Sequence, residues 1–76
     1  MSTVTVSPQR IRQARDAAGL TQAELAHRLR SNGLPKATER SVRRWETGAH
    51  TPHANVVPHI ARVLGVAITA LYDEAA

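Results

Sequence analysis

The sequence predicts an all-α domain of five short helices. Three observations carry this. Apolar residues recur three and four positions apart rather than in alternation, as helices burying one face require. Several of those segments open on Ser, Thr or Ser-Pro and close on Gly, the residues that satisfy helix ends. No strand pattern, internal repeat or low-complexity tract is read in the chain. The 76 residues have room for one core only. With no Phe, one Trp and one Tyr, that core must be aliphatic.

Residues 1–6, MSTVTV, are polar and β-branched and read as a flexible N-terminal arm ahead of a domain at 7–74. Ser7 then caps a first helix with Pro8 at its first position, where a missing N–H costs nothing. That helix runs to about Ala18, with Ile11 and Ala14 inward and Gly19 as its stop. Thr21 and Glu24 in TQAE have the form of a capping box, and Leu25, Ala26 and Leu29 give the second helix its apolar stripe. The Asn-Gly pair and proline of SNGLP end it near Arg30 or Ser31. Thr38 opens a third helix, TERSVRRWETG, terminated by Gly48. After the loop AHTPHAN, a fourth helix reaches Leu64 and stops at Gly65. It must begin near Asn55, so that Pro58 falls in the first turn. A fifth, Ile68 to about Asp73, completes the set.

Charge narrows the function classes. Ten Lys and Arg against six Asp and Glu give +4, and nine of the ten cations are Arg. The pI of 11.2 lies in the range of nucleic-acid-binding domains. Clustering matters more than the total. On a wheel of about 100° per residue, Val42 and Trp45 define the buried side of the third helix, while Arg40, Arg44 and Thr47 lie about 140–200° from Val42. Glu39 and Arg43 sit on one flank and Ser41 on the other. An arginine can donate two hydrogen bonds to O6 and N7 of guanine in the major groove, and two arginines one turn apart suit that use. Taken alone, the segment also reads as an ordinary solvated face, with Trp45 a core plug.

Other chemistries find little support. The absence of Cys removes a disulfide framework, a thiolate zinc site and a cysteine nucleophile. His50, His53 and His59 are spread over a loop and a helix start and read as surface residues rather than metal ligands. No phosphate-binding glycine loop or paired catalytic carboxylates occur, so an enzyme is not expected, nor a cofactor. No run reaches the ~18 apolar residues of a membrane span, and the start lacks the layout of a signal peptide. A cytoplasmic location is expected.

GLTQAELAHRL, TERSVRRWETG and PHIARVLGVAITALY, in that order, resemble the helix-turn-helix domain of phage repressors, Cro proteins and XRE-type bacterial regulators, from about Gln9 to Tyr72. The resemblance implies a lambda-repressor-like domain, bacterial or phage-encoded, that regulates transcription. Its partner would be double-stranded DNA, with a pseudo-palindromic operator. It makes the helix after Thr38 the recognition helix, with Glu39, Arg40 and Arg44 at base-reading positions. Glu39 either accepts from cytosine N4 or pairs locally with the arginines. Gln22, with Thr21 beside it, falls where the family holds a DNA phosphate at a helix N-terminus. Ser41, Arg43 and Thr47 match neighbours facing the sugar-phosphate backbone or solvent, and His50 lies just past the helix, within reach of a phosphate. Arg15 and Glu46 match a structural pair tying the first helix to the end of the third.

One departure stands out. The turn between the second and third helices is longer than the family's tight turn by about six residues, falling in SNGLPKA. Either it is a neutral insertion, or Lys36 within it reaches a phosphate. Near the other end, Val66, Ile68, Leu71 and Tyr72 form either a weak homodimer patch or the closure of the monomer's core. A protein-interaction module such as an antitoxin is the alternative function. A toxin-binding segment is expected as an extra tail, and the sequence stops soon after the fifth helix, at YDEAA. A stand-alone regulator is therefore the expectation.

Overall fold

Helix caps written into the sequence set the frame. A computed structural model describes residues 3–75. The order is β1 (Thr3–Val6), α1 (Pro8–Ala17), α2 (Gln22–Ser31), α3 (Glu39–Thr47), α4 (Val57–Leu64), a 3-10 turn (Ile68–Leu71) and β2 (Tyr72–Ala75). Ser7 accepts from Arg10 N at 3.2 Å, with Pro8 behind it in the first turn. At α2 the capping box closes in both directions: Glu24 N donates to Thr21 Oγ1 at 3.0 Å, and Thr21 N to Glu24 Oε1 at 2.9 Å. These bonds satisfy donors that have no intrahelical partner. Thr38 caps α3 through Ser41 N, and Gly48 ends it at φ +81°. Helix α4 starts at Val57, two residues later than expected. Pro58 still falls in the first turn, and the His53 carbonyl accepts from the N–H groups of Val56 and Val57.

The core is aliphatic apart from one indole. Ile11, Leu25, Leu29, Val42, Val57, Ile60 and Leu71 are fully buried, and Trp45 lies among them at 7% exposure. The apolar stripes of the four α-helices meet there, so each helix is stabilised mainly by its inward face.

Two expectations require correction. Among the described residues four α-helices form rather than five. Residues 68–71 wind into a single 3-10 turn, from which Leu71 drops into the core at 0% exposure. The fold is also not wholly helical. Residues 3–6 of the expected arm pair antiparallel with Tyr72–Ala75, Val6 facing Tyr72 and Thr3 facing Ala75. Two further contacts lock this ribbon to the helices: Ser7 N donates to the Leu71 carbonyl at 2.9 Å, and Arg10 Nε to Asp73 Oδ1 at 2.7 Å. Among the described residues, no helix is long and apolar enough to cross a membrane.

Candidate nucleic-acid interface

Helix α3 owes its placement to a polar junction at its C-terminal end. Arg15, from the last turn of α1, donates Nε to Glu46 Oε2 at 2.6 Å and Nη2 to Glu46 Oε1 at 3.0 Å. Its third contact is Nη1 to the Leu20 carbonyl at 2.8 Å, in the turn between α1 and α2. Gln22, at the start of α2, donates Nε2 to Glu46 Oε1 at 3.2 Å. One carboxylate thus joins three helices. The Glu46 side chain is 3% exposed and that of Arg15 12%, so the pair sits out of bulk water. The hydrogen bonds it donates to Glu46, opposed by partial burial, hold the Arg15 guanidinium above its ordinary pKa.

The other end of α3 is fixed by the lengthened turn. Residues 32–38 are not a slack loop. Leu34 N donates to the Leu29 carbonyl at 3.0 Å, Ala37 N to the Leu34 carbonyl at 3.0 Å, and Arg30 Nη1 to the Ala37 carbonyl at 2.8 Å. Ala37 is buried, and His59 Nδ1 lies 3.0 Å from the Asn32 carbonyl. Gly33 makes that approach feasible. It stands at φ +100°, and a Cβ there would come within 3.3 Å of the His59 ring. Arg30 has no sequence signal for this role, since its partner lies seven residues away across an irregular segment.

Between these anchors α3 presents its polar face. Arg40 and Arg44 are exposed, and neither has a salt bridge among the described residues. Glu39 is paired with Arg43, Nη2 to Oε2 at 3.4 Å, one turn along the helix. Both side chains are more than half solvent-exposed or close to it, so the pair is worth a few tenths of a kcal/mol, about 0.3–0.5 for this spacing. Ser41 is half-buried, its hydroxyl 3.0 Å from that of Thr38. Thr47 turns its hydroxyl back to the Arg44 carbonyl at 3.3 Å, and His50 N donates to the same carbonyl at 3.2 Å, leaving the His50 ring exposed. Thr21 is engaged in the capping box, where its backbone N–H holds the Glu24 carboxyl below the usual range. Lys36 is exposed on the turn just ahead of α3.

The candidate residues accordingly form two groups. Glu39, Arg40, Arg43, Arg44 and Thr47 share one helix surface, with Lys36 leading into it. Gln22 meets α3 at its far end through Glu46, with Thr21 before it. Val66, Ile68, Leu71 and Tyr72 do not form one exposed patch: Leu71 is core, Val66 and Tyr72 are half-buried, and Ile68 is 44% exposed.

Two helices joined through a turn, the second held by its inner face with a cationic outer face, define a DNA-binding helix-turn-helix fold. Residues 9–74 match the family described as helix-turn-helix domain, and the chain belongs to that family. A search among curated proteins returned no match.

Proposed function

We propose that the protein is a sequence-specific transcriptional regulator of the Cro and repressor type, which lays α3 in the major groove of its operator. The observation that carries this is the pair Arg40 and Arg44. They are exposed, one turn apart and without salt-bridge partners among the described residues, on a helix whose opposite face is bolted into the core. An arginine that no carboxylate engages keeps its donor fork for guanine O6 and N7. Arg43, already shared with Glu39, is assigned to phosphate, as are Lys36, Thr47, His50 and Ser41. Gln22 and Thr21 supply a second phosphate contact at the N-terminus of α2, where backbone N–H groups favour an anion. The proposed operator is pseudo-palindromic, its half-sites about one helical turn (~34 Å) apart. Weak pairing of two copies through the region of Ile68 fits such a site.

The test is selection of bound duplexes from a random pool at physiological salt, followed by titration of the recovered sequence. A recurrent motif bound far above random DNA is expected. In that titration Arg44→Ala costs about 1–3 kcal/mol and relaxes preference at one base pair, whereas Arg43→Ala weakens every sequence alike. Uniform weakening by Arg44→Ala would remove its base-reading role. Weak binding to all duplexes, lost as salt rises, would replace operator reading with a protein-directed function.

A further inference from the structure

The lengthened turn borders a half-open cavity that DNA contact does not explain. Leu34, Lys36 and Ala37 of the turn, Ser41 and Trp45 of α3, and Val56 ahead of α4 surround about 310 Å3. The walls are almost wholly apolar, in contrast to a depression at His27, Arg28, Asn32 and Arg62, whose lining is mostly polar. A space of this size stands at the lower end of small-molecule sites, about 300–1,000 Å3, and admits one or two fused rings rather than a nucleotide or a peptide. Two of its features define the ligand. The indole of Trp45, 7% exposed, contributes an aromatic edge to the lining, against which another ring packs edge-on. The one charged side chain in the lining is Lys36, which has no salt bridge among the described residues; no carboxylate shares the walls.

We propose that this cavity binds a small aromatic carboxylate, its ring against Trp45 and its carboxylate at Lys36, and that the bound ligand weakens DNA binding. The coupling rests on the reading of α3 as a DNA-binding helix with Lys36 at a phosphate. One ammonium cannot serve the phosphate and the ligand carboxylate together, so each lowers the affinity for the other, and by the same factor. The cavity also takes walls from both the turn and α3, so a ligand that fits it favours one placement of Ser41 and its partner Thr38, the N-cap of the helix.

Binding is tested first without DNA. The protein is titrated with naphthalene-2-carboxylate and with the neutral naphthalene-2-carboxamide, followed by 1H–15N correlation spectra. The single tryptophan gives one indole N–H reporter. Saturable shifts confined to residues 34–37, 41, 45 and 56 are expected. The acid should bind about fivefold tighter than the amide, the ratio one exposed ion pair supplies. Lys36→Gln, an exposed substitution that leaves the core intact, should abolish that preference while retaining the amide's affinity. No saturable shift by about 5 mM, or shifts scattered over the surface, overturns the site. Equal affinity for acid and amide overturns the carboxylate assignment. The second arm repeats the titration against the selected duplex, whose affinity should fall with the acid and not in Lys36→Gln. A ligand that binds but leaves DNA affinity unchanged overturns the coupling. A protein that binds no duplex refutes the regulator reading alone, because the first arm is read without DNA.

Discussion

Replacing Arg15 with Met tests how α3 is held. Methionine nearly matches arginine in helix propensity, so any loss arises from the contacts and not from α1 itself. The substitution removes three hydrogen bonds and leaves the Glu46 carboxylate, 3% exposed, with the Gln22 amide as its remaining side-chain donor. Breaking a buried ion pair from one side costs about 3–5 kcal/mol, because the surviving charge is left uncompensated. Arg15 is itself 12% exposed, so water screens the pair a little and the lower end, about 3 kcal/mol, applies. A chain of this length has about 4–11 kcal/mol in total at ordinary stability per residue. The loss therefore reaches a quarter or more of it, a fall in Tm of roughly 12–24 °C. Urea unfolding of the wild type, Arg15→Met, Glu46→Leu and the double variant measures this directly. The double variant should be much more stable than the two separate losses add up to, with a coupling of about 1.5–3 kcal/mol. A loss below about 1 kcal/mol for Arg15→Met, or coupling below about 0.5, would refute the claim that this junction fixes α3.

Three other outcomes follow from the same geometry. The hydrogen bond from Arg10, and after it that from the Ser7 hydroxyl, holds the Asp73 carboxyl below its ordinary pKa. Its contribution to stability is thus present above the unfolded value, about 3.9, and lost as pH falls through the lowered folded value; Tm measured from pH 7 to pH 2 should drop less steeply in Arg10→Gln than in the wild type. Gly33→Ala forces a side chain into φ +100° and against the His59 ring, so it should destabilise by about 1–3 kcal/mol in chemical denaturation. Leu71→Ala empties a fully buried site and should cost about 2–5 kcal/mol, releasing β2 from the helices in hydrogen exchange before the rest opens.

What the sequence disclosed was local. The caps at Ser7, Thr21 and Thr38 and the stop at Gly48 are each written within four residues of the helix end they serve, and all four form. The buried side of α3, Val42 and Trp45, follows from periodicity. Contacts between distant residues had no such signal. Arg15 and Glu46 stand 31 positions apart, and only a family resemblance brought them together. The ribbon was missed for a related reason. MSTVTV carries β-branched residues suited to a strand, but its partner, Tyr72–Ala75, contains Asp73 and Glu74, which are poor strand formers. A two-stranded ribbon is marginal by itself and persists here because Leu71, Ser7 and Arg10 attach it to the helices. The same attachment ends the expected fifth helix. A backbone that must turn outward at Tyr72 to meet β1 cannot continue winding past Leu71.

A lengthened turn would ordinarily loosen the helix that follows it, since a longer loop usually means more motion. The anchors argue otherwise. Closing a few more residues costs little, because loop entropy grows only logarithmically with length. The turn's own bonds then hold it: Arg30 on the Ala37 carbonyl, Leu34 on the end of α2, and Asn32 against His59 of α4. At the opposite end Arg15 and Gln22 hold Glu46. Two fixed points define the axis of α3, and Val42 and Trp45 between them fix its rotation. A side chain reads a base only if its helix arrives with both quantities already set, because ordering the helix on contact would consume part of the binding energy. The added residues therefore leave the start of α3 fixed, and the largely apolar pocket lies where the turn meets that helix.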